Sequence, residues 1–163
     1  MAPPSSTLTQ STPNSQVLSR LRKTLSGQDD SVLRSAVEIL RESSNKYDWI
    51  GIYLVKGENL ALATYVGEGE TEHTQIPIGQ GICGLAAKQA ESIIVDDVNK
   101  DPRYLMCFPS TRSEIVVPII GSTHVLGEID IDSDTHSAFT RKDQEFLEKA
   151  ASIFADYLER HQA

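Results

Sequence analysis

The chain has 163 residues, 39% of them hydrophobic and 23% charged, and this length is enough to bury the core of one globular domain. Its formal net charge is -8, which argues against a nucleic-acid-binding surface and against binding to an anionic membrane. No apolar run approaches the roughly 20 residues of a membrane span, and the N-terminus lacks the layout of a signal peptide. We therefore expect a cytoplasmic protein.

The chain contains two cysteines, Cys83 and Cys107. Two cysteines in a chain of this size do not build a disulfide framework. In a reducing compartment, each is either a small buried hydrophobic residue or a catalytic or redox-sensing thiol. The four histidines show no spacing typical of metal ligands, so we expect no bound metal.

Three amphipathic helices are predicted, two near the N-terminus and one at the C-terminus. Residues 1–14 are rich in Ser, Thr and Pro and are predicted to form a disordered tail, followed by one domain over residues 15–163. Apolar residues at helical spacing predict helices from Ser15 to Gly27 and from Val32 to about Leu40. The last helix begins at Thr140, with Asp143 three residues on as the capping-box partner.

Two β-hairpins are predicted between these helices. The first joins residues 49–55 to 60–66, and the second joins 114–120 to 125–132. The segments between the hairpins are predicted as a polar loop, a short helix, a short strand and a second loop: residues 67–74, 83–89, 92–95 and 96–104. The predicted fold is α+β, a mostly antiparallel sheet of five or six strands with the N- and C-terminal helices packed on it.

Three carboxylates interrupt the apolar strands of the second hairpin: Glu114, Asp130 and Asp132. Asp130 and Asp132 are two residues apart on one strand and therefore share a face. If Glu114 faces the same side from the partner strand, all three converge on one site. The alternative is that the two aspartates lie on a solvent-exposed face, and their spacing alone does not decide between the two.

Two aromatic residues of the first hairpin, Trp49 and Tyr53, are four residues apart and therefore lie on one face of their strand. Aromatic residues at this spacing are either part of the core or the wall of a pocket. The residues alone do not decide between these interpretations.

The arrangement resembles a GAF domain over nearly all of residues 15–161. Four segments carry the resemblance: Ile76–Gly84 (IPIGQGICG), Asp97–Tyr104 (DVNKDPRY), Ser113–Ile119 (SEIVVPI), and Phe139 and Thr140 before the last helix. The fold of this family supports many functions, so the resemblance to it does not by itself name one.

Within that family, the sequence looks like the free methionine-(R)-sulfoxide reductases. The matching motifs are Trp-x-Gly-x-Tyr (Trp49, Gly51, Tyr53), the cysteine of a glycine turn (Cys83), a cysteine seven residues before a glutamate (Cys107, Glu114), and Asp-Ile-Asp-Ser (Asp130 to Ser133). The resemblance implies L-methionine (R)-S-oxide reductase activity, which counters oxidative stress.

The resemblance also implies a role for each site residue. Cys107 is the attacking thiol, and Glu114, Asp130 and Asp132 bind and protonate the substrate. Trp49 and Tyr53 form the pocket wall around the methyl-thioether end of the substrate. Cys83 is the possible resolving thiol, which forms a disulfide with the sulfenic acid of Cys107. No cofactor is bound, the thioredoxin–NADPH system is the external reductant, and the protein is a homodimer.

One position departs from the family. Many members carry a further cysteine ten residues before the one in the glycine turn, and this chain has His73 there. Regeneration of the attacking thiol therefore depends on Cys83 or on an external thiol. The departure also favours an alternative function, a stand-alone GAF sensor that binds a small molecule without turnover.

Overall fold

The computed structural model describes residues 13–29, 31–69, 71, 73–106 and 108–161. In chain order these residues form α1 (Asn14–Thr24), α2 (Val32–Glu42), β1 (Trp49–Lys56), β2 (Asn59–Gly67), β3 (Gln75–Pro77), α3 (Gly81–Gln89), β4 (Ile93–Val95), a 3-10 turn (Val98–Lys100), β5 (Ser113–Ile120), β6 (Val125–Ser133) and α4 (Arg141–His161). Most of the predicted tail lies outside the described residues. Asn14, the last residue of the predicted tail, is the first residue of α1. Among the helices described, none is long and apolar enough to cross a lipid bilayer.

All neighbouring strands of the sheet are antiparallel, in the order β3-β2-β1-β6-β5-β4. Both predicted hairpins are present, as β1–β2 and β5–β6, and the long-range pairing of β1 with β6 joins them. Strand β3 was not predicted, because three residues are too few to show alternation. The predicted α+β fold is confirmed.

One face of the sheet is covered by the three long helices. Ile52 on β1, Ile115 on β5 and Ile129 on β6 are fully buried there against α1, α2 and α4. This apolar core holds the larger part of the buried hydrophobic residues, and it confirms the prediction that the terminal helices share one face.

One half of the predicted capping box is present at the start of α4, and the Thr140 hydroxyl donates to the Asp143 carboxylate at 3.1 Å. Asp143 accepts a hydrogen bond from the backbone N–H of Thr140 at 2.8 Å. Its other carboxylate oxygen accepts from the hydroxyl of Tyr47 at 3.2 Å. Asp143 therefore both caps the start of α4 and connects this helix to the segment before β1.

The opposite face of the sheet carries a second, smaller core under α3. Trp49 and Tyr53 from β1 and Val116 from β5 pack there against Ile82 and Cys83 of α3. Because strand residues alternate between faces, the positions that separate the core isoleucines all point to this side.

Candidate active site

Four carboxyl groups meet on the face of the sheet that α3 covers. Glu128, Asp130 and Asp132 occupy alternate positions of β6, and Glu114 of β5 lies directly opposite Asp132. Glu114 is 3% exposed, Glu128 0%, Asp130 1% and Asp132 2%. The three carboxylates singled out from the sequence therefore lie together, and the alternative of solvent-exposed aspartates is wrong.

Glu128 is the residue of this cluster that the sequence analysis missed. The two-residue spacing that links Asp130 to Asp132 continues back to Glu128, so the signal was present. In the described part of the chain, neither carboxylate oxygen of Glu128 has a hydrogen-bond partner, and the same holds for Oδ1 of Asp130 and both carboxylate oxygens of Asp132. Buried carboxyl groups without partners are costly, which is typical of a site prepared for a ligand.

Helix α3 brings Cys83 against the carboxyl groups. The thiol sulfur and one oxygen each of Glu114 and Asp130 all lie within 4.8 Å of one another. Cys83 is buried and forms no disulfide with any described residue. The site thus places a thiol directly beside acidic groups, and this set of donor atoms could also hold a cation.

An aromatic wall borders the acidic cluster. The ring of Trp49 lies 5.7 Å from that of Tyr65 and 5.6 Å from that of Phe108, measured between centroids. Its indole folds over Gly51, where a Cβ would collide with the ring. The absence of a side chain at Gly51 therefore sets the position of Trp49 beside its strand partner Asp132.

Two loops close over this face and are connected to each other. The hydroxyl of Tyr53 donates to the carbonyl of His73 at 2.8 Å, and Nε2 of His73 donates to the carbonyl of Met106 at 3.0 Å. Leu105 packs over the start of α3, where a Cβ at Gly81 would come within 2.8 Å of it. His73, at the position of the family's additional cysteine, is therefore the link between the loops.

Cys107 lies outside the described residues, so its role as the attacking thiol stays a prediction. Its two neighbours in sequence both contact the site. Met106 accepts the hydrogen bond from His73, and the ring of Phe108 packs against Trp49.

Two cavities adjoin the cluster. One has a volume of about 10 Å3, roughly that of a single water molecule, and reaches Cys83 and Glu114 beneath Leu105. The other has a volume of about 220 Å3 and lies at Trp49, Phe108 and Asp132. A larger cavity of about 520 Å3, between α4 and the end of β5, has no cysteine or aromatic residue among the described residues that line it. The Asp132 side is therefore the wider approach to the carboxyl groups.

Burial makes these carboxyl groups weak acids. It raises the pKa of Glu128 and of Asp132 well above the ordinary carboxyl value, and the nearby charge of Asp130 raises both further. Burial also raises the pKa of Asp130, although contacts with Glu114 and Cys83 partly offset the effect. The cluster therefore retains protons at pH values where an exposed carboxylate has lost its own.

The same surroundings disfavour the thiolate of Cys83. Burial and then the charges of Asp130, Glu128 and Glu114 raise the pKa of the Cys83 thiol well above its usual range. Because the thiolate is the nucleophilic form, Cys83 in this state is a poor attacking group.

The chain matches the GAF domain family over residues 30–158. It is 42% identical to the free methionine-R-sulfoxide reductase of Saccharomyces cerevisiae over 108 residues, which cover 65% of this chain and 60% of that protein, less than two thirds of its length.

Two solved structures have similar folds. The type II free methionine-R-sulfoxide reductase of Thermoplasma acidophilum is 38% identical, with a TM-score of 0.77 over 86% of this chain and 96% of that one. The free methionine-R-sulfoxide reductase of Neisseria meningitidis, solved with its substrate, is 30% identical, with a TM-score of 0.83 over 90% of this chain and 88% of that one.

Proposed function

Because the chain belongs to the GAF domain family and resembles its free methionine-R-sulfoxide reductases over most of its length, we propose that it reduces free L-methionine (R)-sulfoxide to methionine. The observation that carries the proposal is the group of four buried carboxyl groups beside a thiol and an aromatic wall. Such a site offers acids to a leaving oxygen, negative charge to an ammonium group and an apolar surface to a thioether.

The substrate enters through the cavity at Trp49, Phe108 and Asp132. Trp49 and Tyr53 surround its methyl-thioether end, and the ammonium group is bound by the carboxyl groups. A cation lowers the pKa of a neighbouring acid, so binding of the ammonium group releases a proton from the cluster. The buried indole N–H of Trp49 has no acceptor among the described residues and can donate to an oxygen of the ligand.

The chemical step transfers one oxygen atom. The thiolate of Cys107 attacks the sulfoxide sulfur, and a carboxyl group of the cluster protonates the oxygen. The sulfur–oxygen bond breaks as the oxygen passes to Cys107, which becomes a sulfenic acid, and methionine leaves. The sulfoxide is reduced by two electrons and the thiol is oxidised by two.

Cys83 then resolves the sulfenic acid. Its sulfur displaces the hydroxyl group from Cys107, water leaves, and a disulfide joins the two cysteines. Thioredoxin reduces this disulfide by thiol–disulfide exchange and is itself recycled by NADPH. The raised pKa of Cys83 disfavours it as the thiol that attacks the substrate. In the resolving step its proton leaves with the displaced hydroxyl group as water.

Three further expectations accompany this proposal as predictions. They are thioredoxin as the partner, a homodimer as the assembled state, and the cytoplasm as the location.

The decisive test is thioredoxin-coupled NADPH oxidation with free methionine (R)-sulfoxide and, separately, with the (S) form. Wild type, Cys107→Ser and Cys83→Ser are compared. We expect turnover of the (R) form only, abolished by Cys107→Ser. With Cys83→Ser, we expect one turnover per chain in the absence of added thiol, because the first step survives and the second does not.

Absence of turnover with thioredoxin and also with dithiothreitol would contradict the proposal and leave the sensor as the better explanation. Thiol titration after one equivalent of substrate separates the two functions directly. A sensor keeps both thiols free, whereas the reductase loses one or both.

A further inference from the structure

Three acids of the cluster, Glu128, Asp130 and Asp132, have no positively charged partner among the described residues. The groups that act on Glu128, Asp130 and Asp132 are other acids and the thiol of Cys83. Every ion pair among the described residues lies elsewhere and is at least partly exposed. Carboxyl groups in this setting either keep their protons or bind a cation.

Three of these groups are arranged to share one ion. The sulfur of Cys83 and one oxygen each of Glu114 and Asp130 lie within 4.8 Å of one another, and all three residues are buried. Ligand atoms about 2.0–2.3 Å from a tetrahedral zinc ion stand about 3.3–3.8 Å apart, so the three groups would draw together by up to about 1.5 Å to share one ion. The cavity at Cys83 and Glu114 has a volume of about 10 Å3, so it admits a single ion or water but not an amino acid.

Glu128 is a second, independent indication of a cation. It is 0% exposed, and neither of its oxygens has a hydrogen-bond partner among the described residues. Its carboxyl group points into the cluster, where it interacts with the thiol of Cys83 and the charge of Asp130 without reaching hydrogen-bond geometry. A cation held by Cys83 and Asp130 would supply the positive charge that Glu128 lacks.

We propose that Cys83, Glu114 and Asp130 form a binding site for a thiophilic divalent cation of the zinc and cadmium class, with Glu128 as the compensating charge beside it. One thiolate and two carboxylates are three protein ligands, which leaves a fourth position for water. The sulfur ligand selects against Mg2+ and Ca2+, which take oxygen ligands.

The test measures binding to the full-length, tag-free, reduced protein. Zn2+ affinity is obtained by competition with a chromogenic chelator, and Cd2+ binding by the thiolate-to-cadmium charge-transfer absorption. We expect one ion per chain and no competition from Mg2+. Cys83→Ser should abolish the cadmium absorption and weaken Zn2+ binding by about 100-fold, and Glu128→Gln should weaken it by about 10-fold, in the range seen when outer ligands are removed.

Two variants serve as matched controls. Cys107→Ser removes the other thiol, and Glu91→Gln removes an exposed carboxylate; both should retain wild-type binding. Asp130→Asn repeats the test without touching a cysteine, and circular dichroism verifies that each variant is folded. The proposal is overturned if wild type binds no more tightly than Cys83→Ser, if Mg2+ competes equally, or if Cys107→Ser loses as much affinity as Cys83→Ser.

A functional consequence rests on the proposed reductase activity. An ion on Cys83 and Asp130 would occupy both the resolving thiol and the groups that receive the substrate ammonium, so Zn2+ should inhibit competitively. The binding measurements do not depend on turnover, so a protein that binds zinc but reduces no sulfoxide would contradict the proposed function and leave the metal site standing.

Discussion

Glu128 shows how burial alone changes the behaviour of a single side chain. Its raised pKa means that the folded protein holds a proton that the unfolded chain releases above about pH 4. The unfolded state then binds fewer protons than the folded state, so stability falls as pH rises from about 4 through the raised folded pKa. Asp130 and Asp132 act in the same direction, because burial raises their pKa values too.

Glu128→Gln removes one of these titrating groups while preserving its shape. We expect the variant to melt at a higher temperature than wild type at pH 8, by about 2–4 °C for each kcal/mol gained, with a smaller difference at pH 5. Thermal unfolding followed by circular dichroism between these pH values measures it. Exposed Glu91→Gln is the control, and an identical pH dependence in Glu128→Gln and wild type would contradict the assignment.

Gly51→Ala tests the position of the aromatic wall. The added methyl group collides with the indole of Trp49, so the ring must leave its place in the aromatic wall. Since Trp49 is the one tryptophan of the chain, its fluorescence reports the movement directly. We expect a shifted emission maximum and a fall in kcat/KM of about 10-fold or more, the usual effect of a disturbed apolar pocket.

Ala63→Ser, at an exposed position of the neighbouring strand β2, is the control for Gly51→Ala and should change neither signal. Unchanged emission with reduced activity in Gly51→Ala would show that the indole does not lie where the structure has it.

Among the elements, the loops before β3 and before β5 determine how closed the site is. They are irregular, yet one hydrogen bond, from His73 to Met106, joins them to each other, and a second, from Tyr53 of β1 to His73, ties the first loop to the sheet. Local opening of such a segment costs little free energy compared with global unfolding, because few buried contacts hold it. The narrow cavity beneath Leu105 therefore depends on the His73 link.

His73→Ala should loosen this link without unfolding the sheet. We expect faster hydrogen exchange at the amides of residues 104–106, while β1 and β6 keep their protection. His73→Asn retains a side-chain donor, so its exchange rates should lie between those of His73→Ala and wild type. His124→Ala, in the exposed turn between β5 and β6, is the control. Equal exchange rates in His73→Ala and wild type would show that His73 does not hold the two loops together.

At the scale of the whole molecule, one sheet separates two cores of different character. The core under α1, α2 and α4 is apolar, whereas the core under α3 combines apolar residues with acids and a thiol. Burial in the apolar core therefore provides most of the stability. It offsets the free-energy cost of the buried carboxyl groups on the opposite face of the sheet.

Leu147→Ala should separate stability from activity. Leu147 is fully buried in α4 against the apolar core, and its truncation should lower the free energy of unfolding by about 2–5 kcal/mol. Urea unfolding measures the loss, with exposed Lys149→Ala on the same helix as control. At 25 °C the folded fraction should keep wild-type kcat, and a parallel loss of kcat would show that the two cores are coupled.

The sequence predicted the elements whose periodicity is long enough to recognise. Both hairpins and the three long helices follow from the spacing of apolar residues. Strand β3 has three residues and is defined by its pairing with β2, so no local sequence pattern predicts it. The same limit applies to the contact of His73 with Met106, which depends on how two distant loops meet.

For the site, spacing predicted that Asp130 and Asp132 share a face but not that this face is buried. Burial depends on α3 and the loops that cover it, and these are held by long-range contacts. Glu128 was open to the same argument from spacing. Glu128 lies outside the Asp-Ile-Asp-Ser motif that the chain shares with the family, so the resemblance did not point to it.

The alternation of isoleucine and carboxylate along β6 has a consequence for how errors in folding are rejected. A slip of one residue in the pairing of β6 with β1 or β5 would exchange its two faces. Glu128, Asp130 and Asp132 would then lie against the helices, and Ile129 and Ile131 would fill the ligand site. Every such misaligned chain is both inactive and strongly destabilised. The pattern of this single strand therefore fixes the register in which the sheet assembles.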